Sequence, residues 1–142
     1  DNTRSRGLGD VYKRQVYGFE VIRSALDDAE KNADLNNIEN IQFLKANLDT
    51  FFKSGQLPNR IPKPDVIIVD PPRAGMHSDM AQYLPKLKAK KIIYVSCNPT
   101  TQARDAKILC EKGYELKKSV MVDMFPHTPH IENIVLFSKQ GL

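Results

Sequence analysis

Residues 91–113 read KIIYVSCNPTTQARDAKILCEKG, and their order of strand, turn and helix decides the fold. The β-branched run Lys91–Ser96 predicts a buried strand, which an Asn-Pro turn ends at once. Residues 100–112 predict the next helix, with Gly113 as its C′ residue. Cys97 is therefore expected at the carboxyl end of a parallel strand, where open α/β sheets bind their ligands.

The remaining predicted elements continue this alternation. The predicted strands are 16–20, 41–44, 65–70, 114–124 and 131–138, and the other predicted helices are 23–35, 48–52 and 79–87. Alternation up to residue 112 favours an α/β fold with a doubly wound, Rossmann-like sheet. The two strands that follow predict an antiparallel hairpin at one edge of that sheet.

Composition fits one globular domain. The chain has 142 residues, of which 41% are apolar and 27% charged. Its longest apolar runs are too short to span a membrane, and no secretory signal follows the N-terminus. We therefore expect a protein of the reducing cytoplasm. The net charge of +4 is a weak indication of a nucleic-acid partner, because half of it lies in residues 1–15.

The two cysteines lack metal-ligand spacing, so they are considered separately. The helix predicted after Cys97 would direct its N-terminal dipole at the thiol and favour the thiolate, which makes Cys97 a candidate nucleophile. A small buried apolar residue is the alternative, and for a lone cysteine it is the more common one. Cys110 shares an apolar helix face with Ala106 and Leu109, so we predict it in the core.

Acidic residues end two of the predicted strands. Glu20 closes the first, where an acid accepts hydrogen bonds from ribose hydroxyls in nucleotide-binding α/β folds, although many strand ends carry an exposed acid without a role. Asp70 opens Asp-Pro-Pro-Arg, and the prolines force a turn that would hold its carboxylate at the cleft. Arg73 could meet a phosphate or a carboxylate there, and an ordinary turn is the alternative.

The segment before the last strand carries another acid and two histidines. Glu132 stands among apolar residues at the strand start, and periodicity leaves its exposure open. Burial there would raise the pKa of its carboxylate and suit it for general-base work. His127 and His130 could suggest a metal site, but no third ligand has convincing spacing. Loop residues are the favoured interpretation of both histidines, and no metal is expected.

Four segments together indicate a family. They read VYGFEVIRSALDDAEKNADLNN (16–37), VIIVDPPRAGM (66–76), IYVSCNPTTQARD (93–105) and DMFPHTPHIENIVLFSK (123–139). In content, order and spacing they resemble the class I, S-adenosylmethionine-dependent RNA uracil-5-methyltransferases, which form 5-methyluridine in ribosomal or transfer RNA. The Ser-Cys-Asn-Pro and His-Ile-Glu motifs in one chain are the most specific part of this resemblance.

The resemblance implies a role for each candidate residue. Cys97 matches the family's nucleophile and Glu132 its general base. Glu20 matches the acid that binds the cofactor ribose, Asn47 the residue near the adenine, and Asp70 the cofactor-site acid. The implied cofactor is S-adenosylmethionine, and the implied partner is RNA, with ribosomal favoured over transfer RNA. A monomer is expected.

The N-terminal residues differ from the family pattern. The family has a glycine-rich strand and turn before the segment that begins at Val16, whereas this chain has Ser-Arg-Gly-Leu-Gly-Asp-Val-Tyr-Lys-Arg-Gln. We therefore predict an unrelated or disordered head over 1–15, the C-terminal part of a catalytic domain over 16–142, no central first strand, and weak cofactor binding.

Two other functions stay open at the level of sequence. A different class I methyltransferase could modify an exocyclic amine, but Arg73 takes the place of the aromatic residue which that chemistry uses. A non-catalytic RNA-binding or interaction module would bind RNA without any dependence on Cys97.

Overall fold

Six strands and three α-helices make up the part of the chain that the computed structural model describes, residues 15–47, 61–128 and 130–141. The chain divides into two compact units, residues 1–51 and 52–142, and each is described by itself. The predicted head up to residue 14 and the helix predicted at 48–52 lie outside the described residues.

The first unit is a β-α-β arrangement. Strand β1 (Val16–Glu20) is followed by helix α1 (Arg23–Leu35) and strand β2 (Ile41–Lys45). The strands are parallel, with a register that ends at Glu20 opposite Lys45, so their carboxyl ends share one edge. The apolar spacing of α1 buries Leu26 and Ala33. All three elements confirm the sequence predictions.

The second unit is built on a four-stranded sheet. Its strands are β3 (Val66–Val69), β4 (Lys91–Ser96), β5 (Tyr114–Val122) and β6 (Glu132–Lys139), in the spatial order β3-β4-β6-β5. Strands β3 and β4 are parallel, and β6 is antiparallel to both β4 and β5. The predicted antiparallel hairpin is confirmed, and its second strand lies directly beside β4.

Two α-helices lie in the described part of this unit. Helix α2 covers Ser78–Tyr83 and continues as a 3-10 turn, Leu84–Leu87. The prediction of one continuous α-helix over 79–87 was wrong. Pro85 has no N–H to donate, and its ring would clash with the preceding turn of an α-helix. Helix α3 (Pro99–Glu111) confirms its prediction to within one residue at each end.

One face of the sheet forms the core. Every second residue of β4 and β6 is buried, and on β4 these are Ile92, Tyr94 and Ser96. This strict alternation is the period of a strand with one buried face. At the far end of the sheet the buried Tyr114 hydroxyl donates to the Ala89 carbonyl oxygen at 2.7 Å, and burial raises the pKa of Tyr114.

Cys110 is exposed, so its predicted place in the core is wrong. The buried residues of α3 are Gln102, Asp105 and Leu109. Because each residue turns an α-helix by about 100°, Cys110 lies a full step away from Leu109 and outside the buried stripe. Apolar periodicity does not mark this stripe, because two of its three residues are polar.

Candidate active site

Three of the predicted site residues meet at one edge of the four-stranded sheet. Strands β3 and β4 are parallel with Val69 opposite Tyr94, so Asp70 and Cys97 follow at the same edge. Strand β6 runs the other way, and its pairing with β4 ends at Ser96 opposite Asn133. The next residues outward are Cys97 on one strand and Glu132 on its neighbour.

These residues line a cleft of about 400 Å³. Its lining consists of Asp70, Val95, Cys97, Val122, Met124, Glu132 and Ile134. The lining residues of β4 and β6 alternate with the buried ones, so the cleft lies on the sheet face opposite the core. Its volume lies at the lower end of the range typical of small-ligand sites.

The chemistry of the cleft follows from its lining. Val95 and Ile134 supply apolar surface, which suits the face of a flat ring. Cys97 and Glu132 are both half-buried, and Asp70 is exposed. A thiol beside a carboxylate over apolar surface can combine nucleophilic addition with proton transfer.

Buried Ser96 and the cap of α3 fix the backbone around Cys97. The Asn98 backbone N–H donates to Ser96 Oγ at 3.0 Å, and Ser96 Oγ donates to the Asn98 carbonyl oxygen at 3.1 Å. Asn98 is the N-cap of α3 and accepts from the Thr100 N–H at 3.2 Å. Helix α3 therefore begins two residues after the thiol, one residue earlier than predicted, with its positive end on that side.

Helix α3 also holds the loop of residues 70–76, which carries Asp70. Asn98 Nδ2 and Thr101 Oγ1 both donate to the Arg73 carbonyl oxygen at 3.0 Å. One turn further along, Arg104 Nη2 donates to the Ala74 carbonyl oxygen at 3.1 Å. The loop is thus attached to the same helix that follows Cys97.

A buried carboxylate, Asp105, completes this attachment, and the sequence analysis did not identify it. It is 1% exposed and accepts hydrogen bonds from the Met76 N–H at 2.7 Å and the Tyr94 hydroxyl at 2.8 Å. Arg104 contacts its other oxygen at 2.8 Å. Burial, then the hydrogen bond to Asp105 and the charge of that residue, raise the pKa of Tyr94 well above its usual range.

Gly75 is required where the loop meets the helix. Its φ is +82°, a conformation that residues with a Cβ rarely adopt. A Cβ at this position would lie 2.6 Å from Arg104 Nη2 and 2.7 Å from Asp105 Oδ2. The Ala-Gly pair of the quoted Asp-Pro-Pro-Arg segment is the sequence signal for this close approach.

Arg73 and His130 meet beside the sheet edge. The guanidinium Nη1 lies 3.2 Å from His130 Nδ1, and the imidazole also packs edge-on against Phe125, with ring centroids 6.5 Å apart. Both Arg73 and His130 are exposed. Among residues 15–47, 61–128 and 130–141, no cluster of three or more His, Cys, Asp or Glu side chains is placed to bind a metal.

The other two predicted residues lie in the first unit. Glu20 is half-buried at the end of β1, and its Oε1 accepts from the backbone N–H groups of Val21 and Ile22 at 2.6 and 2.8 Å. Asn47 is exposed and follows β2 by two residues. Both therefore stand at the shared carboxyl edge of the β1–β2 pair.

Comparisons with known proteins agree with this fold. A crystal structure of Pyrococcus abyssi tRNA (uracil-54, C5)-methyltransferase in complex with S-adenosyl-L-homocysteine superimposes with a TM-score of 0.71 at 37% identity. The match covers 87% of this chain and 28% of that one. Magnesium protoporphyrin IX methyltransferase from Synechocystis, 17% identical with a TM-score of 0.66, shows the same fold. The predicted Rossmann-like methyltransferase fold is confirmed.

Sequence comparison gives the family. A Chlorobaculum tepidum protein, named as an uncharacterized RNA methyltransferase, is 43% identical over 126 residues, which are 89% of this chain and 26% of the relative. This chain therefore spans about a quarter of that relative's length. None of the helices in the described ranges is long and apolar enough to cross a membrane. The family model described as tRNA (Uracil-5-)-methyltransferase matches residues 7–140, so the chain belongs to that family.

Proposed function

We propose that the protein transfers a methyl group from S-adenosylmethionine to C5 of a uridine in RNA, through a covalent adduct with Cys97. One observation carries this proposal: Cys97 and Glu132 occupy neighbouring strand ends in one cleft, with apolar surface beside them. Membership of the uracil-5-methyltransferase family supports the choice of base and of carbon atom.

Cys97 begins the reaction because C5 of uracil is a poor nucleophile. The thiolate forms a bond to C6, and the electrons of the C5–C6 double bond move to the ring as an enolate. C5 then becomes nucleophilic enough to accept a methyl group. The target base must leave its stack to reach the cleft, so we expect it to be flipped out.

Glu132 ends the reaction as the general base. Once C5 carries both a hydrogen and the new methyl group, a base must remove the C5 proton. The electrons of the C–H bond then restore the C5–C6 double bond, and the bond between C6 and sulfur breaks to return the thiolate. A carboxylate on the strand beside Cys97 supports this assignment.

The cofactor residues are proposed by their chemistry. Glu20 has an oxygen, Oε2, with no hydrogen-bond partner among the described residues, and a carboxylate at a strand end suits ribose hydroxyls. We assign Asn47 to the adenine and Asp70 to cofactor binding. When bound, S-adenosylmethionine supplies a methyl group on a sulfonium sulfur.

The test uses RNA that contains 5-fluorouridine and a full-length protein that carries this chain. Fluorine cannot leave C5 as a cation, so the adduct cannot resolve and remains visible on a denaturing gel. Wild type should form this adduct only with cofactor, and Cys97→Ser should form none. Cys110→Ser is the matched control, since that thiol is exposed outside the cleft, and it should behave as wild type.

A non-catalytic RNA-binding module makes the opposite prediction. It would bind RNA equally well with and without Cys97 and would form no covalent complex. Equal RNA affinity for wild type and Cys97→Ser, together with no adduct in either protein, would overturn the proposed reaction.

Ribosomal RNA remains our proposed substrate class. The Pyrococcus abyssi enzyme is named as a tRNA methyltransferase, and that name describes the substrate of that enzyme alone. Methyl incorporation into ribosomal and transfer RNA from cells that lack the protein decides between them. Incorporation into transfer RNA alone would refute the ribosomal assignment and leave the chemistry intact.

A further inference from the structure

A buried pair of amide side chains joins α3 to β6 behind the cleft. Gln102 of α3 is 2% exposed and Asn133 of β6 is 9% exposed. Asn133 Nδ2 donates to Gln102 Oε1 at 2.6 Å, and Gln102 Nε2 donates to the Asn133 carbonyl oxygen at 3.1 Å. The helix therefore fixes both the side chain and the main chain of Asn133.

The same pair reaches the two strands that flank β6. Gln102 Nε2 also donates to the Tyr94 carbonyl oxygen on β4 at 2.9 Å. Ser119 Oγ of β5 donates to Asn133 Oδ1 at 2.9 Å. One pair of amides thus ties one helix to three strands.

Simple packing does not account for these residue types. Two aliphatic side chains would fill the same space without the cost of burying polar groups. Hydrogen-bonded amides differ from aliphatic residues in being directional, because their bonds fix an orientation as well as a distance. Gln102 and Asn133 therefore specify the orientation of the first residues of β6.

Those first residues include Glu132. Asn133 pairs with Ser96 in the last pair of the β4–β6 ladder, and Glu132 follows directly outside it. Because successive side chains of a strand point to opposite faces, holding Asn133 toward α3 holds Glu132 toward the cleft. We propose, on the basis of the function above, that Gln102 and Asn133 are positioning residues for Glu132.

Cys97 depends less on this pair. It follows β4, which hydrogen-bonds to β3 on one side and to β6 on the other. The Ser96–Asn98 hydrogen bonds also hold its backbone. Weakening the amide pair should therefore spare thiolate addition and methyl transfer while slowing removal of the C5 proton.

The experiment compares two variants in a full-length protein that carries this chain. Gln102→Met keeps an unbranched side chain and removes every hydrogen bond of the amide. Tyr114→Phe is the matched control, because it removes one buried hydrogen bond to a carbonyl oxygen at the opposite end of the sheet. Each variant receives ordinary uridine RNA with S-adenosylmethionine, and 5-fluorouridine RNA in parallel.

With ordinary RNA, Gln102→Met should accumulate a covalent complex that resolves about 10- to 100-fold more slowly than in wild type, the range expected for a base displaced by about 1 Å. Its kcat and KM should fall together, with kcat/KM unchanged, because the slowed step follows methyl transfer. With 5-fluorouridine RNA, its rate of adduct formation should match wild type. Tyr114→Phe should show no excess of complex on ordinary RNA.

Ser119→Ala supplies a second, milder variant. Ser119 lies on the exposed strand β5, and the substitution removes the one hydrogen bond that it donates to Asn133. It should show a smaller excess of the same complex. The inference is overturned if neither variant accumulates complex, or if Tyr114→Phe accumulates as much as Gln102→Met. Absence of the 5-fluorouridine adduct in wild type would instead overturn the proposed function.

Discussion

Gly75→Ala is the sharpest single test of how the loop of residues 70–76 is held. Two effects should each lower the free energy of unfolding. A Cβ in the left-handed region costs about 1–2 kcal/mol. The new methyl group would also approach Arg104 Nη2 and Asp105 Oδ2 to 2.6 and 2.7 Å, so at least one hydrogen bond to a charged group must lengthen or break. Such bonds contribute about 1.5–3 kcal/mol each.

The chain supplies a matched control in Gly113. Its φ is +91°, and a Cβ there would meet no atom within 4 Å. Gly113→Ala should therefore show the conformational cost alone, about 1–2 kcal/mol. Gly75→Ala should lower the free energy of unfolding by about 2.5–5 kcal/mol in total. The difference between the two variants isolates the contact with α3.

Urea unfolding followed by circular dichroism measures both variants, and the 5-fluorouridine trap measures the cleft. Gly75→Ala should also slow adduct formation, because the same loop carries Asp70. Gly113→Ala should leave the rate unchanged. Equal losses of stability in the two variants would refute the reasoning, since the contacts with Arg104 and Asp105 would then carry no energy.

Three further predictions concern the buried carboxylate, its phenol partner and the proposed base. Asp105→Asn should lower the free energy of unfolding by about 1.5–3 kcal/mol in urea titration. The control Asp27→Asn breaks an exposed ion pair on α1 and should lower it by at most about 1 kcal/mol. Equal losses would contradict a stabilising role for the buried hydrogen bonds of Asp105. The pKa of Tyr94 is raised in the folded state. The stability that its buried hydroxyl contributes is therefore complete below the pKa of an unfolded tyrosine, about 10, and is lost as the pH rises from there toward the folded-state pKa. In Tyr94→Phe the urea midpoint should therefore decrease less at alkaline pH than in wild type. The same pH profile in both proteins would contradict the role of the Tyr94 hydroxyl. Glu132→Gln should leave methylated RNA attached through sulfur on ordinary uridine RNA, and normal turnover would show that another group is the base.

The sequence predicted the elements well where one periodicity dominates. Lys91–Ser96 and Arg23–Leu35 have the predicted bounds, since the β-branched run of the first and the three-and-four spacing of the second leave few competing structures. The segment around Pro85 was predicted less well, because a proline inside an apolar helical pattern is compatible with either a late start or a 3-10 ending.

The cleft residues could be predicted because each one follows directly after, or opens, a strand. Asp70 and Cys97 needed the rule that parallel strands share a carboxyl edge, and Glu132, which opens the antiparallel β6, needed the resemblance of its motif. Their supports could not be predicted in the same way. Gln102 and Asp105 are polar residues on a buried helix face, and only the tertiary contacts of α3 show what they hold.

Helix α3 is the common support of all three cleft residues, and each connection uses a different part of it. Its N-cap follows Cys97, Asp105 holds the loop of Asp70, and Gln102 holds the start of β6. All these contacts come from its first two turns. The later turn contributes Leu109, whose apolar side chain is fully buried. Damage to the early turns should therefore change individual steps of the reaction, whereas damage at Leu109 should lower stability and reduce every step alike.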